Sequence, residues 1–156
     1  MLLAGVLAGS ILVLPIGGQA PSPAAKPAAG APYPKQPVQI PRRAQAYYGA
    51  VWGIESPSVK AVESGEIIRF SWRVIDADKA KTLNDKKLDP SLIDPQAGVK
   101  LVVPTMEKVG QLRQSSTPEA GKTYWMAFSN SGRIVKPGHR VIVQIGPFQA
   151  EGLVVQ

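Results

Sequence analysis

Apolar and polar residues alternate along most of the chain after residue 44. From Ile67 to Val74, Ile68, Phe70 and Trp72 occupy alternate positions, and mostly polar residues lie between them. A period of two is typical of a β-strand with one buried face, because successive side chains point to opposite sides. The pattern predicts seven strands, over 47–54, 59–62, 67–74, 99–103, 123–128, 141–145 and 148–155.

Turn signals separate these strands. Ser64-Gly65, Lys136-Pro137-Gly138 and Gly146-Pro147 supply proline and glycine where the chain must reverse. Residues 77–83 are long enough for only a helical turn or two, and residues 94–98 resemble a tight turn. About seven short strands and no long helix predict an all-β domain, either an immunoglobulin-like β-sandwich or a small Greek-key barrel.

The first 18 residues contain no charged side chain and are mostly Leu, Ala, Val, Ile and Gly. As a helix they would extend roughly 27 Å, close to the hydrocarbon thickness of a bilayer. We therefore expect residues 1–20 to be a signal peptide or membrane anchor, with the domain exported to the periplasm or cell envelope, free or held at the inner membrane. The basic residues that follow, read by the positive-inside rule, favour the alternative of a cytoplasmic domain.

Residues 21–43 predict a linker. Seven prolines between Pro21 and Pro41 lie among Ala, Gly, Ser and Lys, a composition that favours extended, solvated backbone. The predicted domain therefore covers residues 44–156.

The charge and the cysteine content limit the partners and reactions that the protein can have. The net charge is +7, but four of the 18 basic residues precede Ala44, which leaves 14 basic against 11 acidic residues in the domain. Because Lys and Arg alternate with Asp and Glu there, we expect a solvated surface and no nucleic-acid partner. The chain has no cysteine, which excludes disulfides, thiolate catalysis and iron–sulfur ligation. We expect no cofactor.

Candidate catalytic or metal-ligating residues are few, and we assign none. His139 follows Pro137-Gly138 at a turn, where an exposed polar side chain is usual, and no nucleophile-elbow sequence accompanies it. A second set could offer oxygen ligands to calcium, but lysines interrupt it and local capping explains it better. Its members are Asp76, Asp78, Asn84, Asp85, Asp89 and Asp94.

Aromatic residues give the best indication of binding. On its strand, Trp125 lies opposite the face formed by Tyr124, Met126 and Phe128, so its ring is a candidate for exposure. With Tyr47 and Trp52 it would form a platform for sugar rings or a protein partner, although tryptophans in sandwiches more often belong to the core. Arg113 suits bidentate recognition of a ligand, or a structural tie between loops.

Several stretches resemble a group of uncharacterised bacterial exported proteins, over roughly residues 46–156. They read RVIDADKA at 73–80, VGQLRQ at 109–114, GKTYWMAF at 121–128, KPG at 136–138 and EGLVV at 151–155. The resemblance implies export and a bacterial envelope setting, and it implies no activity, catalytic residue or cofactor.

These observations predict a non-catalytic envelope domain that binds a protein or an envelope polymer, with the membrane contacted through the N-terminal segment. Two alternatives remain at this point: a small envelope hydrolase that uses Asp and Glu carboxylates, and a structural spacer without a specific ligand.

Overall fold

The computed structural model describes residues 40–156. The predicted signal peptide or anchor and residues 21–39 of the predicted linker lie outside this part of the chain. Within residues 40–156, no helix combines the length and the apolar character that crossing a membrane requires.

Strands dominate the described residues, so the prediction of a mostly β-structured domain is confirmed. Two short helices, α1 (Arg42–Trp52) and α2 (Lys81–Asn84), accompany nine strands. The strands are β1 (Ile54–Val62), β2 (Ile67–Val74), β3 (Pro90–Asp94), β4 (Val99–Val102), β5 (Thr105–Met106), β6 (Gly110–Gln111), β7 (Thr123–Ser129), β8 (Arg140–Ile145) and β9 (Phe148–Val154). The predicted strand over 99–103 corresponds to β4, and those over 67–74, 123–128, 141–145 and 148–155 correspond to β2, β7, β8 and β9.

The strands form two main antiparallel sheets and a hairpin. The first sheet has the order β1-β2-β7, and the second has the order β4-β3-β8-β9. In the first sheet Ser71 of β2 lies opposite Ser58 of β1 on one side and opposite Trp125 of β7 on the other. The hairpin β5-β6 pairs Thr105 with Gln111.

Backbone hydrogen bonds connect the two main sheets on one side and connect the first sheet to the hairpin on the other. On one side, the Gln156 amide donates to the Val59 carbonyl (3.0 Å), and the Ala61 amide donates to the Gln156 carbonyl (2.9 Å). On the other, residues 112–114 extend β6 and pair with β7 around the Arg113–Met126 bridge. The Leu112 amide donates to the carbonyl of Pro104, the residue before β5 (3.0 Å), which extends the hairpin that follows β4.

The core lies between the two sheets and is built from the inward positions of the alternating strands. Phe70 and Trp72 of β2, Phe128 of β7 and Phe148 of β9 are fully buried there. The ring of Phe70 stacks on that of Trp72 at 5.1 Å between centroids and lies 6.2 Å from that of Phe148. Aromatic side chains from both sheets therefore fill one continuous hydrophobic core.

The predicted strand over 47–54 is wrong, because residues 42–52 form α1. Ala44, Tyr48 and Trp52 recur every four residues, the spacing of one helix face, and all three pack on the core. The Trp52 ring meets Phe148 edge-on at 5.3 Å. Gly53 ends the helix in the left-handed conformation, with its amide donating to the Gly49 carbonyl. The helix begins at Arg42, two residues before the predicted domain start.

Candidate functional site

Trp125 lies on the outer side of the first sheet, as the alternation of β7 predicts. Tyr124, Met126 and Phe128 point into the core and are almost fully buried. Trp125, between them in sequence, is partly exposed and lies opposite Ser71, which is also partly exposed. The large ring therefore lies outside the core, beside a small side chain that leaves space around it.

We call the outer surface of β1, β2 and β7 around this ring the Trp125 face. Its rows follow the strand register, so each residue of β2 has a neighbour on either side. The face comprises Glu55, Ser58, Lys60, Arg69, Ser71, Arg73, Thr123 and Trp125, and Ala127 continues the row of Lys60 and Arg69 but is buried.

The guanidinium of Arg69 lies over the Trp125 ring, with Cζ 5.0 Å from the ring centroid. A cation at this distance is attracted by the negative face of the ring, by about 0.5–1 kcal/mol at an exposed site. The contact crosses from β2 to β7 and holds a charged group next to an aromatic surface.

Positive charge predominates on the Trp125 face. Lys60 and Arg69 are exposed cross-strand neighbours, and within residues 40–156 neither has a carboxylate within 4.0 Å. Arg73 is partly neutralised, because its Nε lies 3.4 Å from Oε1 of Glu55. The Trp125 face thus carries three basic groups and one acidic group. The even mixing of charges inferred from the sequence does not extend to this face.

The backbone of Trp125 is fixed by the neighbouring segment. The backbone N–H of Gln114 donates to the Trp125 carbonyl at 3.0 Å. The side-chain Oε1 of Gln114 accepts the backbone N–H of Trp125 at 3.1 Å. These bonds leave little freedom for the strand that carries the ring. The arrangement suits recognition, in which a rigid aromatic surface and nearby cations meet a ligand.

Tyr47 and Trp52 do not join Trp125. Both lie on α1, where the Trp52 ring packs against the core and Tyr47 is 52% exposed on the outer side. Tyr47 contacts the ring of Tyr48 edge-on, with 5.7 Å between centroids. In the described part of the chain, no ring contact links either residue to Trp125.

Arg113 is buried and connects loops. Its Nη1 donates to the Leu88 carbonyl at 2.8 Å, and its Nη2 donates to the Leu83 carbonyl at 2.9 Å. Burial lowers the pKa of this guanidinium, and the negative charges of Asp85 and Asp89 partly offset the effect. These contacts support the structural alternative for Arg113, since its terminal nitrogens are used inside the domain.

His139 is at a turn, but the expectation of a freely exposed side chain is wrong. Its Nδ1 lies 2.6 Å from Oδ2 of Asp94, which is fully buried, and only 18% of the histidine side chain is exposed. Sequence reasoning missed this pair because the two residues are 45 positions apart. They meet because β3 and β8 are neighbours in the second sheet.

Two of the other candidate calcium ligands, Asp76 and Asp85, cap backbone turns. Oδ1 of Asp76 accepts the amide of Asp78, and Oδ1 of Asp85 accepts the amide of Lys87. Asp78 itself forms an ion pair with Lys81. Across residues 40–156, no three His, Asp or Glu side chains come close enough together to hold a metal ion. Capping and ion pairing therefore account for these contacts.

Compared with known proteins, the chain matches no family model, no curated protein and no solved structure.

Proposed function

We propose that this protein is a non-catalytic domain of the cell envelope that binds an envelope polymer or a protein through the Trp125 face. The observation that carries this proposal is the partly exposed Trp125 ring with the Arg69 guanidinium 5.0 Å from its centroid. Tryptophan and arginine are the residue types that most often dominate binding free energy at interfaces.

The rigid strand that carries the Trp125 ring supports the proposal. Trp125 belongs to a strand held by β2 on one side and by residues 112–114 on the other. A ligand would therefore meet a preformed surface and would not have to order a mobile loop, which lowers the entropic cost of binding.

The proposed envelope location has a separate basis in the sequence. Residues 1–18 carry no charge, and the following residues to Pro41 contain seven prolines. Such a segment favours insertion into lipid, and the proline-rich stretch would keep the domain at a distance from the membrane. In this arrangement the N-terminal segment contacts the membrane and the Trp125 face contacts the ligand.

Of the two predicted architectures, we infer the small barrel. The support is the direct connection between the sheets at residues 59–61 with 155–156 and, on the other side, the hairpin after β4, which bonds to β7 through residues 112–114. In a sandwich, two sheets pack face to face without such bonds at both edges. A barrel presents each outer face as a continuous curved surface.

Site-specific photo-crosslinking in the native cell tests the proposed face. A photoreactive amino acid is placed at Thr123, which is exposed and two residues from Trp125 on the same side of β7. The matched control carries it at Gln144, which is exposed on the outer side of β8. We expect adducts from position 123 only, and their loss when Trp125→Ala is added.

Equal adducts from both positions would show that the contact is not specific to this face. The absence of any adduct at position 123 would contradict the proposal and favour a structural spacer. The double variant needs a control for folding, which its melting temperature compared with that of the unsubstituted protein provides.

A further inference from the structure

We infer that the ligand of the Trp125 face is an extended acidic polysaccharide that lies across β1, β2 and β7. This inference rests on the proposed binding function and specifies its ligand class. The supporting observations are the two cations of the face without an ion-pair partner in residues 40–156, the width of the face, its single aromatic ring and the bonded stretches at the edges of the first sheet.

The first support is a repulsive pair of cations. Lys60 and Arg69 lie directly opposite each other on neighbouring strands and point to the same outer surface. Like charges in this position destabilise a sheet, and no carboxylate in residues 40–156 lies within 4.0 Å of either one. Arg69 turns toward Trp125 and away from β1, but its charge and that of Lys60 stay on one outer surface, where a bound anion would be attracted to both.

The width of the face indicates the length of the ligand. Lys60 lies on β1 and the Trp125 ring on β7, with β2 between them, so the two outer strands are about 10 Å apart. Arg69 of β2 leans toward Trp125, and Arg73 is paired with Glu55. One small anion cannot contact both Lys60 and the Arg69–Trp125 pair, whereas an extended chain with repeated negative charges can.

The hydroxyl groups and the aromatic ring of the face favour a ligand made of sugar units. Ser58 and Ser71 are partly exposed and lie in the same row as Trp125. Their hydroxyls can exchange hydrogen bonds with sugar hydroxyls, and the part of the Trp125 ring that Arg69 leaves exposed offers an apolar contact to a sugar ring.

Nucleic acid and peptide fit the face less well. Sites for single-stranded nucleic acid stack successive bases on several aromatic side chains, and this face has one. An extended peptide would add to a free sheet edge. However, β1 is bonded to residues 155–156 and β7 to residues 112–114, so these stretches offer no such edge.

The test measures the affinity of the full-length protein for three probes by calorimetry. The probes are polygalacturonate, neutral dextran of similar length and oligothymidylate. We expect polygalacturonate to bind most tightly and its affinity to fall by about tenfold when salt rises from about 0.05 M to about 0.3 M. Dextran should bind at least about tenfold more weakly than polygalacturonate, because it offers no charge to Lys60 and Arg69.

Matched variants locate the binding. The double substitution Lys60→Gln with Arg69→Gln should weaken polygalacturonate binding by about tenfold or more. Lys100→Gln with Arg140→Gln removes the same charge from exposed positions of the second sheet and should change the affinity by less than about twofold. Trp125→Ala should weaken binding to polygalacturonate without reducing its dependence on salt.

Two outcomes would overturn the inference and leave the proposed function standing: equal affinity for dextran and polygalacturonate, and no glycan binding while the face-specific crosslinks at position 123 persist. Preference for oligothymidylate would overturn the inference and would also contradict the proposed ligand classes. An equal loss of affinity in the two double variants would also overturn it, because general charge would then explain the binding. The proposed function itself is tested by the crosslinks, and it would be contradicted if those at position 123 were absent or unspecific.

Discussion

Oδ2 of Asp94 lies 2.6 Å from Nδ1 of His139, which connects the end of β3 to the residue before β8. The second oxygen, Oδ1, accepts the amides of Gln96 at 2.9 Å and Ala97 at 3.0 Å. Burial by itself would raise the pKa of Asp94. The bonds from His139 and the two amides outweigh burial, and the pKa of Asp94 is therefore lowered.

Asp94→Asn should destabilise the protein in a pH-dependent way. A carboxyl whose pKa is lowered by folding contributes stability above its unfolded pKa of about 3.9, and the contribution disappears as the pH falls through the lower folded pKa. We expect a loss of about 1–3 kcal/mol at neutral pH, because the buried bonds are weakened.

Urea denaturation at neutral pH and in strong acid measures this difference. The cost of Asp94→Asn should shrink as the pH falls below about 3.9. Glu107→Gln, at an exposed position between β5 and β6, is the control and should leave the free energy of unfolding nearly unchanged. An equal cost at both pH values would refute the assigned role of the carboxylate.

Arg113→Met should reduce the free energy of unfolding by about 1–3 kcal/mol, because the carbonyls of Leu83 and Leu88 lose their donors inside the domain. Methionine keeps much of the side-chain volume, so packing changes little. Arg140→Met removes a charge from an exposed position and serves as the comparison. Chemical denaturation of the two variants gives the difference, and similar losses in both would argue against the loop connection.

Two tryptophans should respond in opposite ways to truncation. Trp72 is fully buried between the rings of Phe70 and Tyr124, so Trp72→Ala should cost about 3–5 kcal/mol. Trp125→Ala should cost less than about 1.5 kcal/mol, since this ring is partly exposed and does not belong to the hydrophobic core. Thermal unfolding compares the two. A large loss with Trp125→Ala would place that ring in the core and remove the basis of the proposed face.

Gly53 should tolerate substitution less well than Gly98, although both have a positive φ. A Cβ at Gly53 would lie 2.5 Å from the Asp76 carbonyl oxygen, whereas a Cβ at Gly98 would meet nothing within 4 Å. Gly98→Ala should cost only the conformational penalty, about 1–2 kcal/mol. Gly53→Ala should cost clearly more in a denaturation experiment, and equal losses would contradict the close contact at the end of α1.

Alternation predicted most strands because it depends on local positions that the core then buries. It failed for residues 47–54, which were predicted as a strand although Ala44, Tyr48 and Trp52 recur at helical spacing. Bulky apolar residues suit both structures, and packing against Phe148 decides between them.

The candidate site could be predicted only in part. The outward direction of Trp125 follows from β7 alone. The residues around Trp125 could not be predicted in the same way. The position of Arg69 beside the ring depends on the register between β2 and β7, and the position of Lys60 depends on the register between β1 and β2. The contact between Asp94 and His139 likewise depends on which strands become neighbours.

The bonds that join β1 to residues 155–156 and β7 to residues 112–114 have a consequence for local opening. Neither main sheet can separate without breaking amide bonds to a segment of the other or to the hairpin between them. Amide protons of β2 and β8 should therefore exchange with solvent through the same global event, and the two sheets behave as one cooperative folding unit.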